Sequence, residues 1–393
     1  MPSLYPHLSA PALARWEARL RPLLVRLPPA LAVRLYSAGR ERFLAALVAE
    51  RPEPYEPPAA LERTLWGLRF RSPLGNAAGM FKRGEGYELA WRQGAGYWLA
   101  GTTTARPRTG NRGGGAARPF APYPRSGAAS NWLGLPNPGH ETVAARIEGI
   151  VRKERREGCP VGASLAAVAG SGAAGGAAGP GSPDRAEDDA LDGLVEGLRL
   201  YEEAGADFLE VNESCPNTGE ASPGGSDAEE AAWQALHRRL ERIAEEFLAR
   251  RSRPLPVIVK LSVDTEPTRV PELVDALIDL GFDGIDFGNT STAYGALRPA
   301  IAGPERRLYD HFTGRFGGGV SGRPLKERSL GLARAGARAA ARDLESRPDP
   351  DGEPVKDRHL DGKRAEGRAG REFHVIRTGG IESGRDLAAS EEA

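Results

Sequence analysis

The sequence predicts a TIM-type (β/α)8 barrel preceded by a helical extension, and three observations carry that expectation. Short apolar runs of strand type alternate with helical patterns from Leu65 onward, the signature of βα units around a parallel sheet. Several of those runs end in polar or glycine-rich turns, where an α/β barrel carries its chemistry. The 393 residues and 40% hydrophobic content suffice for one large barrel with a sizeable core.

Composition narrows the function classes. Lys plus Arg and Asp plus Glu balance at 53 each, so there is no overall basic field and no nucleic-acid partner is expected. Cys159 and Cys215 are the only cysteines and sit near different expected strands, which indicates no disulfide framework and suits a reducing cytosol. The chain lacks an apolar run of about 18 residues to span a bilayer and a secretory leader pattern. No metal site is expected.

Residues 1–60 form the expected extension and 61–393 the barrel. Flexible insertions are expected at 166–186, rich in Ala and Gly, and at 346–370, charged and without apolar periodicity. Within the extension, residues 11–49 read as helical, with Leu13, Trp16, Leu20, Leu24 and Leu27 on one face. A break follows at Pro28-Pro29, then Leu31, Leu35, Phe43 and Leu47. From Arg15 to Arg42 there are seven arginines against Glu17 and Glu41. Basic amphipathic helices of this kind suit an anionic membrane surface; the alternative is a helix pair packed on the barrel with a solvated basic face.

Strands are predicted at 73–77, 96–101, 160–165, 207–212, 255–261, 284–288 and 373–377. That is seven, and Ala393 falls inside the helix expected after the last, so the eighth strand is expected to be missing from this chain. The first strand leads into Asn76–Gly84, whose small residues Ala78 and Gly79 let a flat cofactor approach the backbone while Lys82 offers a cation. The fourth ends in Asn212-Glu213-Ser214-Cys215-Pro216-Asn217, a turn that brings together two amides and a thiol. Cys215 in such a turn reads equally well as a small buried residue. Lys260 stands alone in the apolar run Val257–Leu261 and therefore needs an anionic partner, as does Glu213 if it faces the core. In the last βα loop, Gly379 and Gly380 precede a helix start, where free N–H groups can cradle a phosphate.

The 212–217 segment resembles the active-site loop of the dihydroorotate dehydrogenases. Other segments resemble that family in the same order: Ala78-Gly79 with Lys82, Gly101–Thr104, Ser130–Gly139, Asn289-Thr290, Gly318–Leu325 (GGVSGRPL) and Thr378–Gly384. The resemblance implies FMN as cofactor, bound through Ala78, Gly79, Lys82, Thr102, Ser164, Asn212, Lys260, Gly288, Gly322, Gly379 and Gly380. It implies dihydroorotate as substrate, held by Lys82, Asn131, Leu133, Gly134, Leu135, Asn212, Asn217, Asn289 and Thr290. Cys215 is then the base that takes a proton from the ring, and Lys260 stabilises the reduced flavin. The chain departs from the family pattern at Phe81, usually Asp in the membrane-associated class, at Ser164, usually Asn, and at Gly288 and Glu213.

The class markers are mixed. Arg21-Pro22-Leu23-Leu24 and the second helix are similar to the extension of the quinone-linked, membrane-associated class (class 2), which implies quinone as acceptor and a peripheral place on the cytoplasmic side of the membrane. Cys215 and Gly134-Leu135-Pro136-Asn137 look like the soluble cytoplasmic class that uses fumarate or NAD. Two further alternatives are a related flavin enzyme acting on a different pyrimidine and an inactive barrel serving as a binding module.

Overall fold

The computed structural model describes residues 9–24, 26–168, 183–213, 226–346 and 372–393. Helices α1 (Ala10–Leu24) and α2 (Pro29–Ala49) come first. Pro29 occupies the first turn of α2, where its missing N–H costs nothing. The expected apolar face divides. Leu24 and Leu27 pack inward, but Trp16 and Leu20 on α1 are exposed, as are Leu31 and Leu35 on α2. The residues that α2 buries are Ala32, Val33, Tyr36 and Ser37. Small side chains there let the helix approach its neighbours closely, and a stripe defined by leucines overlooks them.

An antiparallel hairpin, β1 (Arg63–Leu65) and β2 (Leu68–Phe70), crosses the amino-terminal end of the main sheet. It is pinned there by Trp66, whose indole N–H donates to the Asp283 carbonyl at 3.0 Å while its ring meets His374 edge-on. The strand expected at 73–77 is replaced by isolated parallel bridges, Gly75 with Tyr97 and Phe81 with Ala100. Asn76 is the reason: its side-chain amide takes over the pairing, accepting from Leu99 N at 3.1 Å and donating to Leu99 O at 2.8 Å.

After α3 (Tyr87–Arg92) and β3 (Trp98–Thr103), the chain forms two small antiparallel excursions, β4 (Arg112–Gly113) with β5 (Ala116–Ala117) and β6 (Phe120–Tyr123) with β7 (Ala128–Asn131). The βα alternation then continues with α4 (His140–Lys153), β8 (Val161–Leu165), α5 (Pro183–Glu203), β9 (Phe208–Asn212), α6 (Ser226–Ile243), β10 (Val257–Ser262), α7 (Val270–Leu280) and β11 (Gly284–Asn289). Next come α8 (Tyr294–Leu297), α9 (Gly303–Phe316), β12 (Gly319–Gly322), α10 (Lys326–Ser346), β13 (His374–Arg377) and α11 (Gly384–Glu391).

Six of these strands make one parallel sheet in the order β13-β11-β10-β9-β8-β3. It is a TIM-type α/β sheet that remains open, with β13 and β3 at its edges among the described residues. β8 and β9 are buried at every position, as strands covered on both faces must be. α7, which packs at β11, shows how the helices cover the sheet: Val270, Leu273, Val274 and Leu277 recur at helical spacing and are buried, and Gly281 ends the helix at φ +88°.

A second, antiparallel sheet in the order β12-β7-β6 lies over the carboxyl ends of the parallel strands, tied to the loop after β11 by the paired backbone of Ser291 and Val320. α2 and α9 pack on it through a satellite core that includes Val33, Tyr36, Ala121, Tyr123, Tyr309 and Phe312. Buried Glu305, in the first turn of α9, accepts from Arg125 N at 2.8 Å, Ser126 N at 3.1 Å and Ser126 Oγ at 2.6 Å, fixing the β6–β7 turn.

His140 at the start of α4 is buried between the layers, with Nδ1 2.9 Å from Thr103 Oγ1 and its ring edge-on to Tyr201. Burial pushes its imidazole down to about 4. The unfolded chain binds this proton at about 6.5, so the stability tied to neutral His140 is full above that pH and is lost as pH falls toward 4. Urea unfolding at pH 7 and 4.5 is expected to show an acid loss about 2 kcal/mol smaller in His140→Gln than in the parent chain. An unchanged acid loss would contradict this account of His140.

Candidate active site

Every second residue of a parallel strand points inward, and at the carboxyl end of the sheet those positions are polar. Glu210 and Asn212 project two apart from β9, Lys260 from β10, Asp286 from β11 and Ser164 from β8, and their registers bring them level. Ser164 lies opposite Glu210, and Lys260 lies opposite both Asn212 and Asp286.

The side chains form one continuous network. Lys260 Nζ donates to Asp286 Oδ2 at 2.8 Å and stands 3.7 Å from Glu210 Oε2, with all three residues buried. Thr378, just past β13, donates to the same Asp286 oxygen at 2.9 Å. Ser164 Oγ donates to Glu210 Oε1 at 2.7 Å. The Asn212 amide nitrogen donates to Thr102 Oγ1 at 2.9 Å, which leaves the Thr102 hydroxyl proton for Ser164 Oγ, 3.0 Å away. Asn212 Oδ1 accepts from Asn289 Nδ2 at 2.9 Å, and Asn289 Oδ1 accepts from Thr290 N at 3.0 Å. The ammonium expected to need an anion has two. Burial opposes its charge, but Asp286 and Glu210 outweigh burial and raise the Lys260 pKa above its ordinary value.

The network joins five of the sequence-predicted residues, Thr102, Ser164, Asn212, Lys260 and Asn289, and Thr290 adjoins it. Asn131 enters from the antiparallel sheet above, opposite Gly319 in register. Gly319 has no room for a side chain because a Cβ there would meet Thr290 Oγ1 at 1.8 Å, so Asn131 and Thr290 flank one tight backbone. On the opposite side, Gly79 N donates to Gly101 O at 2.6 Å, bringing Ala78 and Gly79 to the end of β3. Lys82 folds back so that its ammonium would lie 3.3 Å from a Cβ on Gly79.

Leu133, Gly134 and Leu135 form a loop held from within: their carbonyls accept from Asn111 N at 2.9 Å, Arg108 Nε at 3.2 Å and Asn137 Nδ2 at 2.8 Å. Gly134 is at φ +69°, and a Cβ there would collide with the Asn111 side chain at 2.3 Å. A further cluster lies where β12 and β13 end. Gly322 packs on Gly127, Gly380 on the backbone of Lys326, and Arg323 pairs with Glu382 at 2.8 Å. Gly288 links this cluster to the network, since a Cβ there would meet Thr378 O at 2.0 Å. Cys215 and Asn217 lie outside the described residues.

Sequence reasoning passed over Glu210, Asp286 and Thr378. The signal for the two acids was the one that exposed Lys260: a lone charge in an apolar strand, here in Phe208–Asn212 and Gly284–Phe287. Glu213, the other unexplained acid, has a side chain only 5% exposed and its partner in Arg239, at 2.9 Å.

Polar side chains converging from five neighbouring parallel strands at the carboxyl end of an open α/β sheet define an α/β-barrel enzyme site. The model of the dihydroorotate dehydrogenase family matches residues 60–344. The dihydroorotate dehydrogenase (quinone) of Mycolicibacterium smegmatis is 31% identical over 294 residues, 74% of this chain and 69% of that protein. The protein of that name from Mycobacterium marinum is 32% identical over 318 residues, 79% of this chain and 74% of its own. The crystal structure of DHODH from Eimeria tenella in complex with ferulenol shares the fold with a TM-score of 0.55 at 23% identity, covering 93% of this chain and 83% of that one. The chain belongs to the dihydroorotate dehydrogenase family.

The Glu213–Arg239 pair fixes the residue that leads into the 214–217 segment. Arg239→Met is expected to lower stability by about 2 kcal/mol by leaving a buried carboxylate unpaired, and adding Glu213→Gln to recover most of it. Equal unfolding midpoints for the parent chain and Arg239→Met would contradict a holding role for the pair.

Proposed function

We propose that this chain oxidises dihydroorotate to orotate in pyrimidine biosynthesis, with FMN as cofactor and a quinone as electron acceptor. The observation that carries the reading is the amide pair Asn212–Asn289, hydrogen-bonded at the mouth of the sheet beside Lys260 in a chain of this family. Each amide offers a donor and an acceptor, as the alternating C=O and N–H groups of the substrate ring require. Asn131 from the antiparallel sheet and Thr290 from the end of β11 bound the ring, Asn217 adds a fourth amide, and the loop Leu133-Gly134-Leu135 with Lys82 takes the carboxylate.

The residues fit a flat cofactor that ends in a phosphate. Ala78, Gly79 and Thr102 present small groups and backbone to a ring face, and Gly379 opens onto free space, with no atom within 4 Å of a Cβ placed there. Gly380 and Gly322 close the same end, and Gly288 lets the Thr378 backbone pack against β11 beside it. Ser164 stands where a longer amide is usual; its hydroxyl is committed to Glu210. FMN, when bound, supplies a hydride acceptor. Cys215 takes the proton from the neighbouring ring carbon, the task of a thiol whose ordinary pKa is about 8.5. Lys260 offers its positive charge to the ring system as that system gains electrons.

Quinone as acceptor agrees with the names of the relatives and with the surface of the extension. Trp16, Leu20 and Leu23 on α1 and Leu31 and Leu35 on α2 are exposed apolar groups, interspersed with exposed Arg15, Arg19, Arg26 and Arg34. A basic apolar face of this kind suits peripheral contact with an anionic membrane on its cytoplasmic side. Among the described residues no helix is long and apolar enough to cross a membrane.

The test is anaerobic addition of dihydroorotate to the purified yellow protein. Bleaching is expected, with colour restored by a soluble quinone and not by fumarate, and with bleaching at least about 100-fold slower in Cys215→Ala. Flavin that never bleaches would overturn the reading, and reoxidation by fumarate alone would assign the acceptor of the soluble class.

A further inference from the structure

Beneath the amides, Lys260 faces two buried carboxyl groups where one would neutralise it. If both were ionised, the cluster would carry a net negative charge with all three residues no more than 3% exposed, a costly arrangement in a low-dielectric interior. Among the described residues the other groups facing the pair include no second cation: Ser164 on β8, Thr378 after β13 and the Tyr97 phenol just before β3 are all uncharged in their ordinary state. Asp286 Oδ2 accepts from Lys260 and Thr378, whereas the buried Asp286 Oδ1 has no hydrogen-bond donor among the described residues. Glu210 Oε1 accepts from Ser164, so its second oxygen remains for a proton. The two carboxyl groups lie within hydrogen-bonding reach of each other, so a proton on Glu210 bonds Asp286 and removes the excess charge in one step.

We propose that Glu210 and Asp286 share a single proton, so that the pair carries one negative charge, cancels the charge of Lys260, and makes the flavin harder to reduce than a free lysine would. Burial pushes the Glu210 carboxyl up, against the pull of Lys260, and neighbouring Asp286 pushes it further in the same direction. Because either carboxyl can hold the charge, each can replace the other. Both are positioning residues that act on the cofactor through Lys260. The inference rests on the FMN reading above.

The test measures the midpoint potential of the bound flavin in the FMN-loaded protein and in Glu210→Gln, Asp286→Asn and the double variant. Each single amide leaves one carboxylate beside Lys260, so both singles are expected to stay close to the parent value. The double variant frees the lysine charge and is expected to raise the equilibrium constant for reduction at least tenfold, about 30 mV for a two-electron couple. Equal, additive rises in the two singles would show two ionised carboxylates and overturn the proposal, as would no rise in the double variant. Protein that takes up no FMN overturns the cofactor reading, and the proposal with it. A second measurement needs neither flavin nor the double variant. The infrared spectrum at neutral pH is expected to contain one buried carboxylic-acid C=O band that disappears in either single variant, and its absence from the parent chain would overturn the shared proton.

Discussion

The interaction on which the rest of the site depends is the grip of two carboxyl groups on one buried ammonium. Lys260 cannot sit in a fully apolar strand without an anion, and Asp286 at 2.8 Å and Glu210 at 3.7 Å provide it from the strands on either side. The same two acids extend the network outward. Asp286 holds Thr378 at the edge strand, and Glu210 holds Ser164, which leads through Thr102 to Asn212 and Asn289. The Asn212 and Asn289 amides are therefore oriented by a chain of bonds that begins at a charge pair below them.

The outer layers serve this arrangement. The antiparallel sheet brings Asn131 over the mouth and is held by Glu305, which binds the turn between its strands. Gly288 and Gly319 are required where backbone from two layers nearly touches, at Thr378 and Thr290 respectively. A side chain at either position would part the amide network from the glycine cluster or from the upper sheet. The Trp66 hairpin seals the amino-terminal end of the sheet without entering the site.

Much of this was legible in the residues. Six of the seven expected strands form the parallel sheet, because continuous apolar runs bounded by turns carry a strong signal. The seventh was lost to Asn76, whose amide competes with the backbone ladder, an effect periodicity does not register. The helix faces of the extension were misread for a related reason: leucines marked a stripe, but close packing selected Ala32 and Val33, leaving Leu31 and Leu35 in solvent. Lys260 was recognised as needing an anion, yet which anion depends on strand register, which one sequence does not specify. Glu210 and Asp286 thus became functional candidates only when β9, β10 and β11 were seen side by side.

The most direct test of the central claim is the unfolding free energy of Lys260→Met compared with that of the triple variant Lys260→Met/Glu210→Gln/Asp286→Asn. If the ammonium organises the network, removing it alone leaves buried negative charge and costs about 3 kcal/mol or more, and neutralising both acids restores most of that loss. Lys260→Met as stable as the parent chain, or a triple variant no more stable than Lys260→Met, would contradict the account.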